Sequence, residues 1–307
     1  MIINFWLMTI RNLFKKFSLA EKYTVAILLF YTLLSFVFLF YSTNYLANIA
    51  QNALFFLIIL GVSSINQNNN YLLTIRKFYL LIFVYFIYNQ TNTYITLINP
   101  NLFDELFIKI DHTICGDNPT HLTLQFANPY LTEFLQFCYM TFFFMPIIHG
   151  IELHFRRKDT EFDLLLRNIL FGFYLSYLLY FFLPAIGPRF VLHDFSTLSN
   201  ELPGVFLTEF FRSVVNTGGG IINPAIPPEV QVHRDCMPSG HTMMTLINIY
   251  LAFKFRSKLR YVFLVIGSGL IFATVYLRYH YVIDVIAGAV FFYVSLRLEK
   301  SVSKKAL

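Results

Sequence analysis

Charge is what this sequence lacks. Of 307 residues only 13% are Asp, Glu, Lys or Arg, about half the share in an ordinary soluble domain. A 36.0 kDa chain surrounded by water needs a polar shell, and this composition cannot supply one while also placing 37 Phe and 20 Tyr. The scarcity excludes a soluble globular enzyme and directs the apolar excess to lipid. Cysteine is sparse too: Cys115, Cys138 and Cys236 are too few and too scattered for a disulfide framework or a Cys-rich metal centre. Between Met1 and Phe17 no separate apolar core is followed by small residues, so no cleavable signal peptide is expected. Thr217-Gly218-Gly219-Gly220 is not followed by Gly-Lys-Ser/Thr, which excludes a phosphate-binding P-loop. The net charge of +6 does not indicate nucleic acid, because nucleic-acid binders gather Lys and Arg on one hydrated face, whereas here they punctuate apolar runs.

Long apolar runs are what the chain does have. At about 20 residues per bilayer crossing, it reads as an all-α polytopic membrane protein with about eight transmembrane helices. They fall near 23–42, 49–65, 78–98, 130–152, 165–186, 241–254, 260–278 and 280–298. The basic residues test this count. Arg11, Lys15, Lys16 and Lys22 precede the first crossing, and Arg76 and Lys77 the third. Arg156, Arg157, Lys158 and Arg167 precede the fifth, Lys254, Arg256, Lys258 and Arg260 the seventh, and Arg297, Lys300, Lys304 and Lys305 end the chain. All five clusters fall on one face, which the positive-inside rule makes cytoplasmic, together with both termini. Lys109, Arg189, Arg212, Arg234 and Arg278 remain outside, while among the acids only Glu21, Glu152, Asp159, Glu161, Asp163 and Glu299 stay inside. The basic excess thus records orientation, with the lipid bilayer as partner and no nucleic acid.

Two outer segments are long. In 99–128 the period of Leu102, Leu106, Ile110 and Ile114 predicts an amphipathic interfacial helix. The segment 187–237, rich in Gly and Pro, predicts an ordered but irregular cap. Asn66–Asn70 predicts a cytoplasmic turn. Asn89 to Thr93, too polar for lipid, favours interhelical hydrogen bonding over lining a cavity. Outer histidines 112, 121, 193 and 233 lack metal-ligand spacing and read as solvated, and His149 reads as structural. Cys115 and Cys236 share the outer side and could pair in an oxidising compartment.

Three strings on that outer side carry the chemistry: Pro184-Ala-Ile-Gly187-Pro188-Arg189, Pro238-Ser239-Gly240-His241, and Arg278-Tyr-His280-Tyr-Val-Ile-Asp284. Ionisable residues near membrane depth default to functional candidates. A spacing of four puts His280 and Asp284 on one helical face, so the carboxylate can orient the imidazole and leave its other nitrogen as a nucleophile for phosphorus. Taken alone, the pair fits a helix-cap contact at least as well. Ser239 and Gly240 at a helix start offer unpaired N–H groups to an anion. His241 in that first turn could protonate a leaving oxygen, or simply sit at the interface. Arg189 and Arg278 can hold phosphate oxygens, and their company shifts the balance towards chemistry.

These strings resemble the type 2 phosphatidic acid phosphatase superfamily, with its arginine-containing first motif, PSGH second motif and third motif ending HxxxD. The resemblance implies a six-helix core at 78–300 preceded by a two-helix extension at 1–77. It implies a metal-independent lipid phosphatase or phosphotransferase, without cofactor, acting on a membrane lipid substrate at the outer face. His280 would be the nucleophile, Asp284 its orienter, His241 the proton donor, and Arg189 the phosphate clamp. Two departures stand out. The lysine usual seven residues before an Arg-Pro pair is replaced by Phe182, and the pair runs Pro188-Arg189; the arginine usual six residues before the motif histidine is replaced by Thr274. These shifts, with Ile110-Asp111-His112 to Gly116-Asp117-Asn118-Pro119, resemble the inositol phosphorylceramide synthase-like (inositolphosphotransferase) branch, and the His-Tyr-x-x-Asp string resembles sphingomyelin synthases. Transfer of a phospho-alcohol head group between lipids is therefore the alternative reaction, and a membrane transporter or structural protein the alternative class.

Overall fold

The computed structural model describes residues 15–42, 44–64 and 70–306; Arg11 and positions 66–69 of the asparagine-rich turn lie outside the described residues. The helix α1 (Leu19–Val37) starts at a capping box in which the Ser18 and Glu21 side chains each accept the other's backbone N–H. It is followed by α2 (Tyr45–Ser63), α3 (Asn70–Ile98), α4 (Asp104–Cys115), α5 (Pro119–Leu124), α6 (Pro129–Met140), α7 (Phe144–Phe155) and α8 (Asp159–Leu179). After an irregular stretch come α9 (Thr208–Gly218), α10 (Gly240–Lys254), α11 (Arg260–Tyr276) and α12 (Val282–Ala306). No β-strand occurs among the described residues; Ala185 and Asp235 form one isolated bridge.

Every predicted crossing overlaps a helix, but the bounds shift: α1 covers Leu19–Val37 against 23–42, and α8 ends at Leu179, short of 186. The segment predicted at 130–152 is broken into α6 and α7, which meet at 58°. Pro146 in the first turn of α7 gives the reason: its ring excludes the helical carbonyl four residues back, so the chain cannot run straight through. The 78–98 segment begins earlier, at Asn70. Among the described residues three helices, α1, α2 and α8, are long and apolar enough to span a membrane, and the bent α6–α7 pair makes a fourth if counted as one broken span. α11 is apolar but has only 17 residues. Phe36, Leu57, Ile82, Phe144 and Val265 stand exposed on helix faces, apolar surface that a water-soluble monomer would not leave uncovered.

One hydrophobic core joins the N-terminal helices to the rest, with Tyr31, Ile59, Ile87, Leu153, Leu170, Ile247 and Leu270 in a single cluster. Polar seams run through it. Thr91 bonds Tyr31 Oη at 2.6 Å and Gln90 donates to Asn52 at 2.9 Å, so the polar stretch of α3 ties helices together. Such bonds contribute about 0.6 kcal/mol each in a membrane, enough to fix register rather than to hold the bundle.

The segment 99–128 holds α4 and α5. Leu102, Leu106 and Ile114 are exposed, whereas Asp104, Phe107 and Asp111 are buried. Its apolar period thus marks the uncovered face, and carboxylates face the protein.

Candidate functional site

The three motif strings meet at one end of the bundle because two aspartates of α4 hold them there. Asp104 Oδ1 accepts the N–H of Gly187 and the hydroxyl of Tyr281, both at 2.9 Å, joining the first string to the third. Asp111, one side chain along the same buried face, accepts the N–H groups of Val282 and Ile283 at 2.7 and 2.8 Å, capping α12 from another helix. Gly187 is required here: its φ is +94°, and a Cβ would lie 2.8 Å from the Tyr279 carbonyl. Backbone bonds complete the junction, from Arg189 N–H to the Arg278 carbonyl at 3.1 Å and from Ser239 N–H to the Asp284 carbonyl at 3.0 Å.

His280 does not sit on the helix that the HxxxD spacing predicts. It occupies the turn between α11 and α12, a turn closed by Arg278 in the left-handed region with φ 66°. Asp284 in the first turn of α12 reaches back, accepting the Tyr281 N–H at 2.9 Å with the same Oδ2 that lies 3.4 Å from His280 Nδ1. The predicted pairing of ring and carboxylate is therefore present, made by a turn instead of a helical face. The other ring nitrogen, Nε2, lies 3.2 Å from His241 Nδ1.

His241 is held between Tyr139 and Phe142, with ring centroids 4.6 and 4.3 Å away. Ser239 caps α10 by accepting the Thr242 N–H and is fully buried. Gly240 lets the chain pass Tyr180, whose hydroxyl would be 2.4 Å from a Cβ. Arg189 donates to Asn216 Oδ1 at 2.8 Å, and its guanidinium lies over the rings of Phe190 at 4.5 Å and Tyr279 at 4.8 Å. Burial draws its pKa down from the ordinary arginine value.

His241, His280, Arg189 and Gly240 share the wall of one cavity of about 640 Å³. The rest of that wall is largely aromatic, from Tyr85, Tyr88, Phe142, Phe173, Tyr177 and Tyr180. Ser239 and Arg278 are not on the wall. The Arg278 guanidinium, wholly buried, is paired with Glu201 from the cap, whose carboxyl is held below its ordinary pKa by bonds from Thr197 and Arg278.

Several neighbours gave no signal in the sequence as site residues. Asp235 is on the cavity wall and bonds the Tyr88 hydroxyl. His233, read from sequence as solvated, also lines the cavity, against Tyr88. His193 is partly buried and bonds Thr120 at 2.8 Å, also contrary to the solvated reading. Cys115 and Cys236 are not paired: both are free, one exposed and the other buried against Asp284 and His280. The fold packs Cys236 inward on the cavity wall, so the pairing that their shared side allowed does not form. His149 is buried and bonds Asn248 at 3.0 Å. The spacing of seven between Asp104 and Asp111, unusual on an apolar helix, was the one available hint of their shared face.

The PAP2 superfamily model matches residues 105–298, more than half of the sequence, and the chain belongs to that superfamily. No match to a curated protein or to a solved structure was found. Membership, with the exposed apolar helices, makes this an integral membrane protein of phosphatase type.

Proposed function

We propose that this protein is a metal-independent lipid phosphatase or phosphotransferase that forms a phosphohistidine at His280. It crosses the membrane eight times with both termini cytoplasmic, and its site opens to the outer face. The observation that carries this reading is the convergence of His280 Nε2, His241 Nδ1 and the Arg189 guanidinium on one cavity wall. His280 Nε2 attacks phosphorus while the bond from phosphorus to the leaving oxygen breaks. His241 gives its proton to that oxygen. Asp284, through Nδ1, stabilises the cationic ring that results, and Arg189 neutralises the equatorial oxygens. Water or an alcohol then attacks phosphorus, giving its proton back to His241, as the bond from phosphorus to His280 Nε2 breaks and frees His280. Arg278 supports this site by its backbone carbonyl and its ion pair.

Purified His280→Ala protein is expected to release no phosphate and transfer no head group from lipid phosphates, while wild-type activity persists in EDTA. Substantial activity in His280→Ala would sink the nucleophile assignment, and abolition by chelator would replace this mechanism with a metal-dependent one.

One observation favours transfer as the second reading. Asp235 puts a carboxylate on the wall of a cavity meant for a phosphate, where an acceptor hydroxyl would find a hydrogen-bond partner. A radiolabelled phospholipid, supplied with and without a hydroxylated lipid, separates the two outcomes. Free labelled phosphate means hydrolysis; a labelled acceptor means inositol phosphorylceramide synthase-like transfer.

A further inference from the structure

Phosphoryl transfer makes no use of the Cys236 thiol, yet this thiol lies against the groups that orient the nucleophile. Its Sγ is 2.9 Å from Asp284 Oδ2 and 3.4 Å from His280 Nδ1, and those two atoms are 3.4 Å from each other. The three donors therefore form a nearly equilateral triangle of sulfur, nitrogen and oxygen, all on buried residues. Its edges approach the ~3.5 Å that separates ligands around a tetrahedral ion with bonds of about 2.0 Å to N or O and 2.3 Å to S. A second observation points the same way. Asp284 Oδ1 is buried with no hydrogen-bond partner among the described residues, on a side chain that is wholly inaccessible, so the carboxylate keeps coordinating capacity that the protein does not use. Cys236 and His280 both reach the cavity wall, which gives an ion its way in.

We propose that Cys236, His280 and Asp284 form an inhibitory site for a thiophilic d10 divalent cation, Zn²⁺ or Cd²⁺. Hard cations such as Mg²⁺ and Ca²⁺ prefer more numerous oxygen ligands and are not served by a thiolate and an imidazole. On binding, the Cys236 proton leaves to solvent and the thiolate bonds the metal. The His280 Nδ1 lone pair also bonds it, so the one remaining ring proton resides on Nε2. That nitrogen faces His241 and, on the proposed function, is the one that attacks phosphorus; as an N–H it has no lone pair to do so. The inhibition rests on that reading, whereas the coordination does not.

The test uses the full-length protein in detergent, freed of metal with EDTA and then titrated with Co²⁺ as a spectroscopic probe. Expected are a near-ultraviolet thiolate-to-Co²⁺ charge-transfer band with visible bands of tetrahedral cobalt, one ion per chain, and one proton released per ion. Zn²⁺ displaces the cobalt and stops phosphate release, and EDTA restores it. Cys236→Ser removes the thiolate band and weakens Zn²⁺ inhibition roughly 100-fold, the effect of losing the one soft ligand; His121→Gln, at an exposed histidine, changes neither. In wild-type protein, which avoids any folding defect of the variant, Zn²⁺ protects Cys236 from a maleimide and leaves the exposed Cys115 reactive. Cobalt spectra without a thiolate band, or no protection of Cys236, would overturn the site. A thiolate band on protein whose phosphate release is untouched by Zn²⁺ would overturn the blocking of His280. Protein that releases no phosphate under any condition would instead count against the proposed function, and the cobalt spectrum would still decide the site.

Discussion

Arg189 and Arg278 share a side chain and a backbone hydrogen bond, yet they belong to two different regions. Arg189 stands on the cavity wall, stacked against aromatic rings and holding only a neutral amide oxygen through Nη1. Arg278 lies in the shell behind the wall, wholly buried, with its charge met by Glu201. A guanidinium supported by rings and an amide keeps most of its charge for an incoming anion, whereas the Arg278 charge is already balanced by Glu201 at Nη2, although its Nε and Nη1 have no hydrogen-bond partner among the described residues. The same division separates His280 and His241, which share the cavity wall, from Asp104 and Asp111, whose oxygens are filled by backbone N–H groups and a hydroxyl. Motif membership alone does not distinguish a wall from a shell.

The comparison would be broken most decisively by the wall arginine. Arg189→Gln is expected to lower kcat by roughly 10²–10³, the cost of one transition-state donor, with the folded state retained; a loss below tenfold would remove Arg189 from the phosphate site. The shell should respond in stability instead. Glu201→Gln leaves the Arg278 charge buried without its counter-ion and should cost about 3 kcal/mol, read as a lowered melting temperature, while turnover per folded molecule stays within about twofold. A turnover loss matching that of Arg189→Gln would erase the distinction between the regions. Asp111→Asn weakens the two caps on α12 and should cost about 1–2 kcal/mol, with a smaller fall in kcat because His280 and Asp284 lose their fixed spacing. Unchanged melting would show that α4 does not hold the turn.

The smallest effect concerns pH. Burial, and then the Arg278 charge, draw the His193 pKa from 6.5 down to about 4. Between these values the unfolded chain binds a proton that the folded protein refuses. His193 therefore leaves stability intact above pH 6.5 and erodes it as pH falls towards 4. His193→Gln should flatten that part of the stability profile, measured by thermal melts at pH 7, 5.5 and 4.5. An identical pH slope in both proteins would place the acid sensitivity elsewhere.

Local features of this molecule were legible in advance. Pro238 to His241 is a helix start by its residue types, and α10 does begin at Gly240 behind a Ser239 cap. The polar stretch in α3 read as interhelical bonding, and Thr91 and Gln90 do bond across helices. Features that depend on distant partners were not legible. Arg278 reads as a second clamp until Glu201, 77 residues away in sequence, takes its charge. Asp104 and Asp111 look like loop acids until the chain ends of two other strings are brought to them. The break after Met140 was hidden because both halves are apolar, and Pro146 could have sat in one continuous kinked helix.

By itself the sequence determined that the chain is helical and apolar and which short strings begin helices, because these follow from composition, period and capping within a few residues. Only the tertiary structure decided which polar side chains are satisfied and which remain open. That outcome depends on the partner each one meets, and a buried polar group must find its partner wherever the fold provides one. The triangle of Cys236, His280 and Asp284 is the sharpest case. Nothing in the spacing of 236, 280 and 284 puts a thiol beside that pair, and the packing of α10 and α12 under the cavity does.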